Sequence, residues 1–202
     1  MKNGYDNDIV AGIDIGSENI FCSIGIVEEN NNIKLLGLGK SSVKDSFKKG
    51  AITNRNKLLE LLEIAVNEAE LMAEKKIDNA YMTITGDHIR CMNTQGAVAL
   101  NRNKTNGAVD DKSISQKDID RVLELTQGIA LPPDRDILHT IPQEFIVDTL
   151  EKIDDPIGLT GRRLEGHVHL VTASTTGMKN LMESAEELGI NINGLVFKPL
   201  AS

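Results

Sequence analysis

The chain has 202 residues, with 22 Lys and Arg against 30 Asp and Glu for a formal net charge of −8, and its apolar share of 40% contains only 3% aromatics. That length fits one large domain or two small ones with an aliphatic core. The acidic balance opposes contact with a phosphate backbone, and a chain without Trp has few platforms for stacked bases, so no nucleic-acid partner is expected. Cys22 and Cys91 are too few for a disulfide framework or a Cys-rich zinc site, and no basic-then-apolar leader precedes the first apolar run, which fits a reducing cytosol. No apolar stretch approaches the roughly 20 residues that span a bilayer, and no basic amphipathic helix is visible. A tether to a membrane would have to come from outside this sequence.

In chain order, residues 1–8 are polar, and 9–27 then reads as two apolar runs flanking a tight turn that carries Asp14, Gly16 and Ser17. Val, Ile and Phe favour extended backbone, while Gly16 permits positive φ and a close approach of main-chain N–H groups to an anion. Such a turn can hold phosphate, and a carboxylate at Asp14 can hold a hydrated magnesium ion. An ordinary hairpin with a polar turn carries the same residues. Glu28 to Asn32 is a second turn signal and 33–38 a third strand, completing a meander. Leu58, Leu62, Ala65, Ala69 and Met72 recur at helical spacing within 54–75, with a partner strand at 80–85.

Beyond Gly86 a short strand is expected over 96–100, then a mobile polar loop over 101–112. Ser115 caps a helix over 116–127, with Asp118 near its positive end and Gly128 as its stop. Pro132 and Pro133 precede an extended run over 136–148, in which Pro142 forbids one ladder bond and so implies an edge strand or a bulge. After a turn-rich segment at 154–161, residues 164–173 alternate as a strand. A helix starting at Ser174 to Thr176 and stopping at Gly189 follows, and a strand over 194–197 comes last. The pattern is mixed α/β with an inserted module.

Three segments together resemble one family, the bacterial actin-like cell-division proteins called FtsA: Gly12-Ile-Asp-Ile-Gly-Ser17, His139-Thr-Ile-Pro-Gln-Glu-Phe145, and the run from Pro156 to Leu170. The first is shared by actin-like ATPases and sugar kinases in general. The other two resemble the FtsA insertion known as subdomain 1C or SHS2, and the closing 194–202 resembles the return into subdomain 1A. The resemblance implies an actin-like, ribonuclease H-like subdomain 1A made of 1–85 and 164–202, with a small α+β insert over 86–163. It covers about half of the family's protein, whose second phosphate loop, adenosine pocket, FtsZ-gripping subdomain and terminal amphipathic membrane helix have no counterpart here.

In that reading the N–H groups of Gly16, Ser17 and Glu18 cradle the β- and γ-phosphates of ATP, the Ser17 hydroxyl adds a donor, and Asp14 holds magnesium through water. Asn19 stands where many relatives carry Lys, and Glu18 adds negative charge, so weakened nucleotide affinity is expected. The complete protein would be at most a weak ATPase and this fragment inactive, with no catalytic residue assigned. The resemblance further implies self-association into filaments, linkage of the FtsZ ring to the cytoplasmic face of the cell membrane at the division site, and recruitment of later division proteins. The rivals are a PilM-type pilus assembly protein, which shares the insert, and an actin-superfamily sugar or acetate kinase.

Other polar residues point to structure. His167 and His169 alternate on one strand face without a third metal ligand in view. His139 reads as a packed strand residue, Asp154 and Asp155 as a solvated turn, and the stripe of Met178, Leu181, Met182 and Leu188 as helix core. No Ser/His/Asp or Cys/His arrangement is present.

Overall fold

The computed structural model of the chain describes residues 9–43, 45–100, 103–105, 108–110 and 113–201. The β-branched runs become strands β1 (Ile9–Ile15), β2 (Asn19–Val27) and β3 (Ile33–Ser42), followed by the short pair β4 (Phe47–Lys48) and β5 (Ala51–Ile52). The Leu- and Ala-rich run becomes α1 (Arg55–Ala73), leading to β6 (Asn79–Ile84) and β7 (Arg90–Ala99). Next come β8 (Asn103–Thr105), β9 (Ala108–Asp110), α2 (Gln116–Gln127), β10 (Arg135–Val147), β11 (Leu150–Ile153) and β12 (Arg163–Ser174). The described chain closes with α3 (Thr175–Glu186), β13 (Asn191–Phe197) and a 3-10 turn, Lys198–Leu200. It divides into two compact units, Met1–Ile89 with Ser174–Ser202, and Arg90–Ala173.

The first unit is built on a five-stranded mixed sheet in the order β13-β6-β1-β2-β3. The meander β1-β2-β3 is antiparallel, while β6 and β13 run parallel to β1 and to each other. Period-two alternation sends Ile13, Ile15, Ile20, Cys22, Ile24 and Met82 into the core, where α1 contributes Leu58, Leu62, Ala65 and Ala69. Two glycines of β3 let α1 lie directly on the sheet. A Cβ on Gly37 would stand 2.1 Å from the Ala69 carbonyl oxygen, and one on Gly39 would stand 1.8 Å from that of Ala65. The edge of β3 is also blunted, because the Lys40 N–H donates to the Glu68 carboxylate at 2.7 Å and the Leu38 N–H to the Met72 sulfur at 3.3 Å.

Helix α1 starts where Asn54 accepts from the Lys57 N–H, and it ends in the left-handed residue Glu74. Glu70, though buried, is compensated by Lys76 and by the Ile77 N–H, and so pins the exit of the helix. The β4–β5 hairpin has no strong sequence signal. It closes through Lys49 and Gly50, both with positive φ, in the manner of the primed two-residue turns.

The second unit has a four-stranded sheet in the order β11-β10-β12-β7. Its core gathers Val98, Val122, Phe145, Val147 and Leu164, with α2 packed on β7 and β10. At the start of α2, the Asp118 carboxylate accepts from both the N–H and the hydroxyl of Ser115 and so anchors the first turn. Strands β12 and β7 pair over ten residues, from Arg163↔Ala99 to Thr172↔Arg90. That pairing extends β7 six residues before the expected start at Gly96, through a polar run with no apolar alternation of its own. It also joins nearly all of β12 to the second unit, so the division falls at Arg90 and Ala173 where the sequence reading drew 86–163. Within the segment expected to be a loop, 101–112, the described parts form the hairpin β8–β9; the rest lies outside the described residues. Strand β10 sits between β11 and β12, but β11 pairs with it only at Phe145 and Val147, across a register shift, so the Pro142 stretch is out of its reach.

Candidate functional site

The first site residue is placed by strand alternation. Ile13 and Ile15 point into the core, so Asp14 points to the opposite sheet face, with Phe21 as its cross-strand partner on β2. Parallel pairing of β6 with β1 brings Thr83 alongside, and its hydroxyl donates to Asp14 Oδ1 at 2.5 Å. Strand β13 pairs Val196 with Thr83 and Phe197 with Ile84, and the chain then enters the 3-10 turn at Lys198-Pro199. Proline restricts both its own φ and the residue before it, which fixes where the lysine stem begins. Lys198 Nζ lies 2.8 Å from Asp14 Oδ2, so both carboxylate oxygens are engaged although the side chain keeps 28% exposure.

The turn over 16–18 is closed by the Gly16 N–H donating to the Asn19 carbonyl at 2.9 Å, and it is held from outside by the Val43 N–H donating to the Glu18 carbonyl at 2.9 Å. Ser17 and Glu18 are exposed, and their N–H groups have no acceptor among the described residues. Asn19 is half-buried as the first residue of β2, opposite Ser42. Gly16 is not in the left-handed region, contrary to the role that sequence suggested for it. It serves close approach instead, since a Cβ there would lie 3.1 Å from the Asn19 oxygen and 3.4 Å from Lys198 Nζ.

Beside Asp14 the sheet face forms a concavity of about 220 Å³, lined among others by Gly12, Phe21, Ser23, Tyr81 and Thr83. Lys40 Nζ stands 5.4 Å from the Phe21 ring centroid. The arrangement offers two amides without an acceptor among the described residues, in the turn after β1, and one oriented carboxylate with its ammonium partner; of these groups Asp14 also lines the hollow. Chemically it can receive an oxyanion, with a hydrated cation at the carboxylate. Thr83 and Lys198 escaped the sequence reading because neither sits in a motif; only the β1-β6-β13 pairing carries them to the turn.

The remaining candidates are engaged structurally. His167 places Nδ1 2.9 Å from Glu144 and Nε2 3.3 Å from Glu165, while His169 meets the Asn93 side-chain oxygen at 2.7 Å. Among the described residues, no group of three or more His, Cys, Asp or Glu is arranged to hold a metal ion. Asp155 accepts from the Ile157 N–H as an Asx turn, and Asp154 beside it is exposed. His139 is half-buried, and desolvation lowers its pKa below the ordinary value.

A sheet that opens with an antiparallel meander and continues in parallel through helix-linked strands, joined to a second α+β unit, belongs to the actin-like α/β class with an SHS2 insertion. The fold is shared with the chain in the solved PilM-PilN type IV pilus biogenesis complex, which is 14% identical at a TM-score of 0.61 over 95% of this chain and 48% of that one. Residues 86–172 match the family described as the SHS2 domain inserted in FtsA. The protein named cell division protein FtsA in Neisseria meningitidis serogroup B is 34% identical over 96% of this chain and 44% of its own length. Those of Pseudomonas aeruginosa and Escherichia coli K12 are 30% and 29% identical over 100% of this chain and 46% of theirs. The chain belongs to the FtsA family, and it spans a little under half the length of these curated relatives.

Proposed function

We propose that this chain forms the phosphate-facing wall of an ATP site in a cell-division adaptor of the actin-like class. The observation behind the reading is the pair of unengaged Ser17 and Glu18 amides beside a carboxylate that the sheet holds in place. In this reading those two N–H groups and the Ser17 hydroxyl receive phosphate oxygens. The Gly16 N–H, spent on closing the turn, does not join them in this form. Asp14 fits a water-mediated magnesium because Thr83 orients one of its oxygens, while the other is held by Lys198, which the metal's water shell would have to displace or share. When bound, the metal neutralises the triphosphate charge, and the turn supplies position. Glu18 and Asn19 bring no positive charge, which favours modest affinity.

The kinship with FtsA also supports the wider role: an adaptor that self-associates, binds FtsZ and later division proteins, and works at the cytoplasmic face of the membrane at the division site. A pilus-assembly role has the shared fold behind it and nothing more. Among the described residues no helix is long and apolar enough to cross a membrane.

The test is calorimetric titration of the full-length protein with ATP and magnesium. Asp14→Ala is expected to weaken magnesium-dependent binding by about tenfold, the equivalent of about 1.4 kcal/mol. An unchanged affinity removes Asp14 from the site.

A further inference from the structure

We infer that Lys198 belongs to the nucleotide site: it supplies the positive charge that the turn lacks, and it contends with the divalent cation for Asp14. This deepens the ATP reading above and rests on it. No residue from Gly16 to Asn19 carries a positive charge, and Glu18 carries a negative one. Lys40, the next candidate, is drawn to the Phe21 ring. Among the described residues Lys198 meets the geometric requirement, with its ammonium 2.8 Å from Asp14 and 3.4 Å from the position a Cβ on Gly16 would take.

An ammonium there has two consequences. An arriving polyphosphate finds a cation within reach of the bare Ser17 and Glu18 amides, so charge-assisted contact does not wait for a metal. The same ammonium holds the carboxylate that a hydrated magnesium ion needs, so metal and lysine oppose each other at Asp14. With 37% of its side chain exposed, Lys198 has room to exchange one oxyanion partner for another on its flexible stem. Lys198 is therefore a positioning and charge-matching residue, whose weight is greatest when magnesium is scarce.

The prediction concerns binding rather than turnover. In the full-length protein, Lys198→Met should weaken the affinity for ATP in chelator, without magnesium, by about tenfold, and Lys198→Arg should stay within about threefold of the parent. At saturating magnesium the Lys198→Met penalty should shrink to about threefold or less, because the metal then supplies the counter-charge and no longer competes with lysine for Asp14. Dispersed amide spectra of both variants would establish that they fold. An unaltered magnesium-free affinity in Lys198→Met overturns the inference, as does a penalty of the same size with and without metal. If the parent protein itself binds no ATP in either condition, the nucleotide reading falls and the inference with it.

Discussion

At the residue scale, the site depends on which way single side chains face. Asp14 is available because it occupies an odd step between two buried isoleucines, and that alternation is legible in the sequence. The engagement of its two oxygens is not legible, since Thr83 and Lys198 lie 69 and 184 residues away along the chain. The conformational reason given for Gly16 from sequence differs from the one observed: a tight turn suggests positive φ, but here the residue is not in that region, and a Cβ would make a tight 3.1 Å contact with the Asn19 oxygen. Cys22 shows a residue removed from chemistry. It is fully buried, and desolvation, helped by the nearby Glu70, pushes its thiol from the ordinary 9.0 up to about 12. A thiol reagent should therefore modify Cys91 in the native chain and reach Cys22 only on unfolding. The folded thiol keeps its proton to a higher pH than the unfolded one, so stability from this group is complete below pH 9 and drains away between pH 9 and 12. Urea titrations of Cys22→Ala should show a weaker alkaline loss than the parent, and equal losses would contradict the assignment.

At the element scale, the three α-helices among the described residues were readable to within two or three residues because each carries an apolar stripe behind a polar residue at its start. Ser115 with Asp118 opens α2, Asn54 opens α1, and Ser174 opens α3 by accepting from the Gly177 N–H. Strands were readable where they alternate and unreadable where pairing decides. The first half of β7 is polar and exposed, and it is held extended by β12 rather than by its own preference. The contact of α1 with β3 offers a sharp test. A methyl group on Gly39 would meet main-chain oxygen, which cannot rotate away, so Gly39→Ala should displace the helix and cost about 1–3 kcal/mol or more. Gly158→Ala is a contrasting control, because nothing lies within 4 Å of its Cβ position and only its φ of 84° is strained. Chemical denaturation of both variants checks the ranking, and equal losses would mean that α1 does not rest on the β3 backbone.

At the scale of the whole molecule, the two units present different surfaces. The first carries the β1–β2 turn on its five-stranded mixed sheet, and the second is an α+β unit within the SHS2 match. A concavity of about 220 Å³ is smaller than the roughly 300–1,000 Å³ typical of small-molecule sites. The 202-residue chain should thus bind ATP weakly by itself, and micromolar affinity in calorimetry would contradict the one-wall picture. What the sequence conveyed of this organisation came from segments with strong local chemistry; the SHS2 match begins at residue 86, where the insert was expected to start, whereas β12 lies with the second unit by its pairing with β7.

The Ser17 and Glu18 amides are the groups on which the proposed nucleotide binding depends. An amide-resolved NMR titration of the chain with ATP and magnesium is the direct measurement, since it detects weak binding and reports where it occurs. The Ser17 and Glu18 amide resonances are predicted to shift progressively, with much smaller changes for His167 and His169 on β12, and Asp14→Ala should suppress the response. Silence at residues 17 and 18 while nucleotide perturbs another face would contradict the proposed site.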